Sequence, residues 1–159
     1  MKKNITLINK NERKKEMKNI NKEVLKDLNN VSTVNKIFLN EEFDNKDLIK
    51  SNLMKKRSSY RTQDINKNRL KENFITYDEI VEKLVISKLK CSYCKDNVLI
   101  LYENKRDNKQ WTLDRIDNNI GHNSNNVVIC CLDCNIKRGD MDSKRFKMGK
   151  EIKIVRKQF

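Results

Sequence analysis

The sequence predicts an α+β fold: a small core of strand, loop, strand and helix behind a basic, helical N-terminal extension. Three observations carry that expectation. Two Cys-x-x-Cys pairs, Cys91/Cys94 and Cys131/Cys134, enclose 36 residues. Between the pairs, Trp111–Ile116 and Val127–Cys130 have strand length and composition and flank a loop rich in Asn, Gly and Ser. Upstream, apolar residues recur at helical spacing, most clearly over residues 76–89.

Taken in order, the first 58 residues carry sparse stripes. Ile20, Val24, Leu25 and Leu28 suit one helix, and Phe43, Leu48, Ile49 and Leu53 suit a second, weaker one over Glu41–Lys56. Lys55, Lys56, Arg57 and Arg61, with Tyr60 and two serines among them, concentrate positive charge and hydroxyls suited to phosphate contacts. Thr76 and Glu79 form a capping-box pattern, and Ile80, Val81, Leu84, Val85 and Leu89 make the apolar face of the helix it starts. Val98–Tyr102 reads as a short strand and Glu103–Lys109 as a polar turn. The strands Trp111–Ile116 and Val127–Cys130 follow, joined by the loop over Asn118–Asn125, and Asn135 should lie in a helix. Lys137, Arg138, Lys144, Arg145 and Lys147 would load that helix with cations suited to DNA phosphate contacts, with an affinity that falls with salt. The expected divisions are an extension over 1–75, a metal-stapled domain over 76–148 and a basic tail over 149–159.

Four thiols in two close pairs match the tetrahedral shell of a structural zinc ion. Cys130, the odd thiol, reads as a buried strand-end residue, and Trp111 as core. The segment between the pairs is longer than in a simple zinc ribbon and holds Asp114, Arg115, His122 and Asn126, polar groups that a purely structural knuckle does not need. Charge is unevenly spread. Residues 1–90 balance at +9, residues 91–136 at −1 and residues 137–159 at +6. A near-neutral centre between basic flanks suits a polyanion held against that centre, and DNA is the expected partner. Apolar and charged residues each make up 36 % of the chain, so the core should be thin and a metal staple useful. No apolar run is long enough to span a membrane, and the N-terminal apolar stretch is too short for a secretory signal. Five cysteines then imply an intracellular, reducing compartment, cytoplasm or nucleus.

The phrase Leu113-Asp-Arg-Ile-Asp-Asn118, followed by Gly121-His122, Asn126-Val-Val and Cys130-Cys-x-x-Cys-Asn135, resembles the zinc-stapled HNH nucleases, the ββα-metal or His-Me finger group, over about residues 88–140. The resemblance implies a metal-dependent endonuclease that hydrolyses DNA phosphodiesters. It casts Asp114 and Asn135 as ligands of a catalytic magnesium or manganese ion, with Asn126 orienting the loop or adding a contact. If the chain is viral, it places the protein in the host cytoplasm. A homodimer is compatible with it. At residue 115 the sequence departs from the family, with Arg where the catalytic His is usual. Arg cannot act as the base, because its guanidinium keeps its proton, but it can clamp a phosphate. His122, Tyr102 and a water held by the metal are the remaining candidates for the base, although His122, in the loop, reads first as an exposed residue filling a turn position. The alternative function is a non-catalytic zinc-stapled DNA-binding module, and a protein-binding zinc knuckle is a third reading that leaves the charge layout unexplained.

Overall fold

The computed structural model describes residues 21–69 and 72–152; Ile20 and the tail over 153–159 lie outside them. Six helices and one two-stranded sheet occur among the described residues. Helix α1 (Lys22–Leu28) is capped by Asn21 and α2 (Val31–Phe38) by Asn30, whose side chain accepts from Thr33 N at 2.8 Å. They bury Leu25, Leu28, Val34 and Ile37. Helix α3 (Lys46–Asn66) starts later and runs ten residues further than its apolar pattern suggests. Helix α4 (Tyr77–Ile86) has the expected capping box: Thr76 Oγ1 accepts from Glu79 N at 3.2 Å, and the Glu79 carboxylate accepts from Thr76 N at 2.7 Å.

Strands β1 (Trp111–Arg115) and β2 (Val127–Cys131) pair antiparallel, with Leu113 opposite Ile129 and Asp114 opposite Val128. Helix α5 (Leu132–Arg138) follows β2 directly, so Asn135 sits in its middle. Gly139, at φ +53°, ends α5, and α6 (Ser143–Glu151) begins after an Asp142 cap. The cations expected on one helix are therefore split between two. A left-handed residue cannot continue a right-handed helix, and Gly adopts that conformation without steric cost.

Two further expectations change. The segment Val98–Tyr102 is buried but forms no strand; its one bridge joins Leu99 to Gln110. The side chain of Asn29 takes its ladder positions, its Oδ1 accepting from Ile100 N and Leu101 N at 2.6 and 3.0 Å while its Nδ2 donates to Leu101 O at 2.8 Å. Nor are helices α1, α2 and α3 an appendage. Leu25, Leu28, Val34, Ile37, Ile49 and Leu53 belong to the same apolar cluster as Trp111, Leu113 and Ile129, because the strand pair alone has too little apolar surface to close a core.

Candidate metal centre and catalytic cleft

The zinc-ligand spacing closes in space. The sulfurs of Cys91, Cys94, Cys131 and Cys134 all lie within 4.8 Å of one another, and Cys94 Sγ is 3.9 Å from Cys131 Sγ. Sulfurs bound tetrahedrally at zinc–sulfur distances of about 2.3 Å sit about 3.8 Å apart, so this cluster could hold a zinc ion. Backbone amides support it: Tyr93 N donates to Cys91 Sγ and Cys134 N to Cys131 Sγ, each at 3.4 Å. The Cys91 thiol is held well below its ordinary range by the hydrogen bond from the Cys131 thiol, while Cys131, which keeps that proton, is pushed up. Cys130 stands apart, fully buried and bonded to Thr112.

Beyond the cysteines, a cleft of about 250 Å³ collects Asp114, Arg115, His122 and Asn135 with Tyr60, Gln63 and Asn118. The two-residue period of β1 puts Thr112 and Asp114 on one face, where both meet α5. Asn135 Nδ2 donates to Thr112 Oγ1 at 3.0 Å and to Leu113 O at 3.4 Å, leaving Oδ1 as its free amide atom. Asp114 accepts from Arg138 Nη1 at 2.6 Å and from Tyr93 OH at 2.5 Å. Burial raises the pKa of Asp114, against the pull of those two partners. An ionised carboxylate has about four lone-pair sites, so two remain for a hard cation. Asp114 and the free Asn135 oxygen line one cleft and are oxygen donors, the ligand type of a magnesium-like ion, which needs few protein oxygens and keeps several waters.

Arg115 extends from the end of β1, its Nη1 donating to Asn118 O at 3.2 Å and Ile120 O at 3.4 Å. Burial, followed by the charge of Arg69, lowers its pKa; at neutral pH the guanidinium is still protonated and can hold a phosphate. His122 is not an exposed turn residue. It is 4 % exposed, stacks on Tyr60 at 4.5 Å between ring centres, and places Nδ1 2.8 Å from Asp64 Oδ1. Its own backbone N–H donates to Asp64 Oδ2 at 2.6 Å. Gly121 makes this approach possible: a Cβ there would meet Arg69 O at 2.5 Å and Asp64 Oδ2 at 2.7 Å. Asn126 lies behind the cleft, where its side chain bonds Asp117 N and the carbonyls of Asp117 and Gly121 at 2.9–3.0 Å and so shapes the loop. Asp117 makes a turn, accepting from Asn119 N at 2.8 Å.

Three of the expected DNA contacts are internal instead. Lys56 donates to Trp111 O and lies over the rings of Trp111 and Tyr102. Arg57 Nε donates to Ile75 O at 2.8 Å and stacks on Phe74. Arg138 is 4 % exposed and pairs with Asp114. Each answers a buried acceptor that the sheet or a loop would otherwise leave unmet. Lys55, Arg61, Lys144, Arg145 and Lys147 are exposed, as is Lys137, which pairs with Asp133 at 2.7 Å. Tyr102 is buried under Lys56, away from the cleft lining. Sequence reasoning missed Asp64, Tyr93 and the inward role of Arg138. The one signal for Asp64 is its place seven and four residues beyond Arg57 and Tyr60, on the face of α3 that also carries Leu53.

No helix among the described residues is long and apolar enough to cross a membrane. None of the protein-family models, curated proteins or solved structures compared with the chain matches it.

Proposed function

We propose that this chain is a metal-dependent DNA endonuclease of the HNH type, with zinc as a structural staple and a divalent ion in catalysis. The observation that carries the reading is the convergence of Asp114, Arg115, His122 and Asn135 on one cleft beside the four-cysteine cluster. These residues come from β1, the loop and α5, and the motif alone singles them out. Asp114 and Asn135 would hold magnesium or manganese, which would supply positive charge against a phosphate as that phosphate gains charge. Arg115 holds a phosphate oxygen through its guanidinium, and Asn126 keeps the loop that carries His122 in shape. Exposed Lys55, Arg61, Lys137, Lys144 and Arg145 supply backbone contacts to DNA, and a second copy of the chain would let both strands be cut.

One observation favours the rival reading, a non-catalytic zinc-stapled DNA-binding module: both oxygens of Asp114 already have partners in Arg138 and Tyr93. Supercoiled plasmid incubated with the purified protein and magnesium or manganese separates the two. Nicked or linear product that requires the ion and disappears in Asp114→Ala supports the nuclease. Intact plasmid that is nonetheless bound supports the module.

A further inference from the structure

We infer that Asp64 is the positioning residue for His122 and that His122 Nε2 is the base that takes the proton from the attacking water. This rests on the endonuclease reading and adds to it a residue from α3, outside the motif that suggested that reading. The Asp64 carboxylate, 1 % exposed, grips residue 122 twice, at the backbone N–H at 2.6 Å and at ring Nδ1 at 2.8 Å. An ionised carboxylate only accepts hydrogen bonds, so the proton of the neutral ring sits on Nδ1 and the lone pair on Nε2. Nε2 has no hydrogen bond, and the polar side-chain atoms sealed without a partner among the described residues are Asn123 Oδ1 and Arg138 Nε. Nε2 is therefore not sealed in, and His122 lines the cleft that also holds Arg115 and Asp114. Tyr60, stacked on the ring, holds its plane.

The step balances as a hydrolysis. A water gives one proton to Nε2, its oxygen forms the new bond to phosphorus, and the bond from phosphorus to the leaving deoxyribose oxygen breaks. That oxygen takes a proton from solvent, and the imidazolium returns its own to solvent. Burial lowers the pKa of His122, which keeps the ring neutral and able to accept at neutral pH. The charged or titratable groups facing it are Asp64 and Tyr60 from α3, Lys67 and Arg69 just past α3, Asp114 and Arg115 from β1, and Asp140 just past α5.

The test measures plasmid cleavage by the full chain with magnesium from pH 5 to 8, alongside zinc content, melting temperature and DNA affinity. Asp64→Asn keeps an acceptor for the His122 amide but turns an N–H toward Nδ1, which forces the ring proton onto Nε2. His122→Asn keeps a donor to Asp64 and removes the base. Both should cut about 10²- to 10⁴-fold more slowly at unchanged DNA affinity. The wild-type rate should rise with pH and level off below about 6.5, the ordinary value for His, and His122→Asn should lose that rise. Variants that cut within threefold of wild type would overturn the dyad and leave the nuclease standing. If the variants lose zinc or fold, the wild-type profile decides, and a flat rate across the range sinks the assignment. Wild type that never cuts overturns both readings.

Discussion

Gly121 is the narrowest point in the site, and Gly121→Ala tests the packing that assembles it. The added methyl would sit 2.5 Å from Arg69 O and 2.7 Å from Asp64 Oδ2, where carbon–oxygen contacts below 3.0 Å do not persist. Arg69 O belongs to the backbone, and Asp64 is held by two bonds to residue 122, so neither neighbour swings away. The loop must then move off α3 by about half an ångström or more. Overpacking of this kind costs about 1–3 kcal/mol. At about 2–4 °C per kcal/mol for a chain of this size, the melting temperature should fall by about 2–12 °C. His122 O also accepts from Ile75 N at 2.9 Å, so the displacement strains the join to the segment leading into α4. Cleavage should suffer more than stability, since a misplacement near 1 Å can cost about 10²-fold in rate. Melting curves and plasmid cleavage on one preparation give both numbers. A variant that melts and cuts like wild type would refute the claim that this close approach holds the loop on α3.

Zinc analysis should find one ion per chain; Cys131→Ala should lose it together with cooperative unfolding, while Cys130→Ala keeps it, and equal loss from both would remove the four-cysteine assignment. Arg138→Ala strands a buried carboxylate and should destabilise by about 3–5 kcal/mol. Lys144→Ala and Arg145→Ala, on the exposed face of α6, should leave the melting temperature within about 2 °C, since such surface changes stay within ~0.5 kcal/mol. Each should lower the slope of log affinity for DNA against log salt by about 0.9, measured by titration at several salt concentrations. Stability should also respond to acid through His122. Its folded pKa is lowered by burial, so the unfolded chain takes up the proton first as pH falls below about 6.5. That contribution is complete above 6.5 and is lost on acidification, and urea midpoints at pH 7.5 and 5.5 should differ less in His122→Asn than in wild type.

What could be read directly from the residues was local. The capping box starting α4, the two cysteine pairs and the two runs that became β1 and β2 each depend on neighbours a few positions away. Asn126 as a loop-shaping residue was legible for the same reason, because its partners Asp117 and Gly121 lie within nine residues. Val98–Tyr102 misled because its composition suits a strand, whereas strand formation needs a ladder partner. Asn29, some 70 residues away, supplies hydrogen bonds in place of one.

By itself the sequence determined the metal-ligand spacing, the strand–loop–strand–helix order and the polar set drawn toward the cleft. Tertiary structure decided how that set is held. Beyond Leu53 the inward face of α3 consists of Lys56, Arg57, Tyr60 and Asp64, which reach Trp111 O, Ile75 O, Leu113 N and His122. A stripe of this kind keeps the helical period but not the hydrophobicity by which a buried face is usually recognised. Its burial is favourable only because each polar group meets a specific partner far away in sequence, and pairings of that sort exist only once the chain has folded.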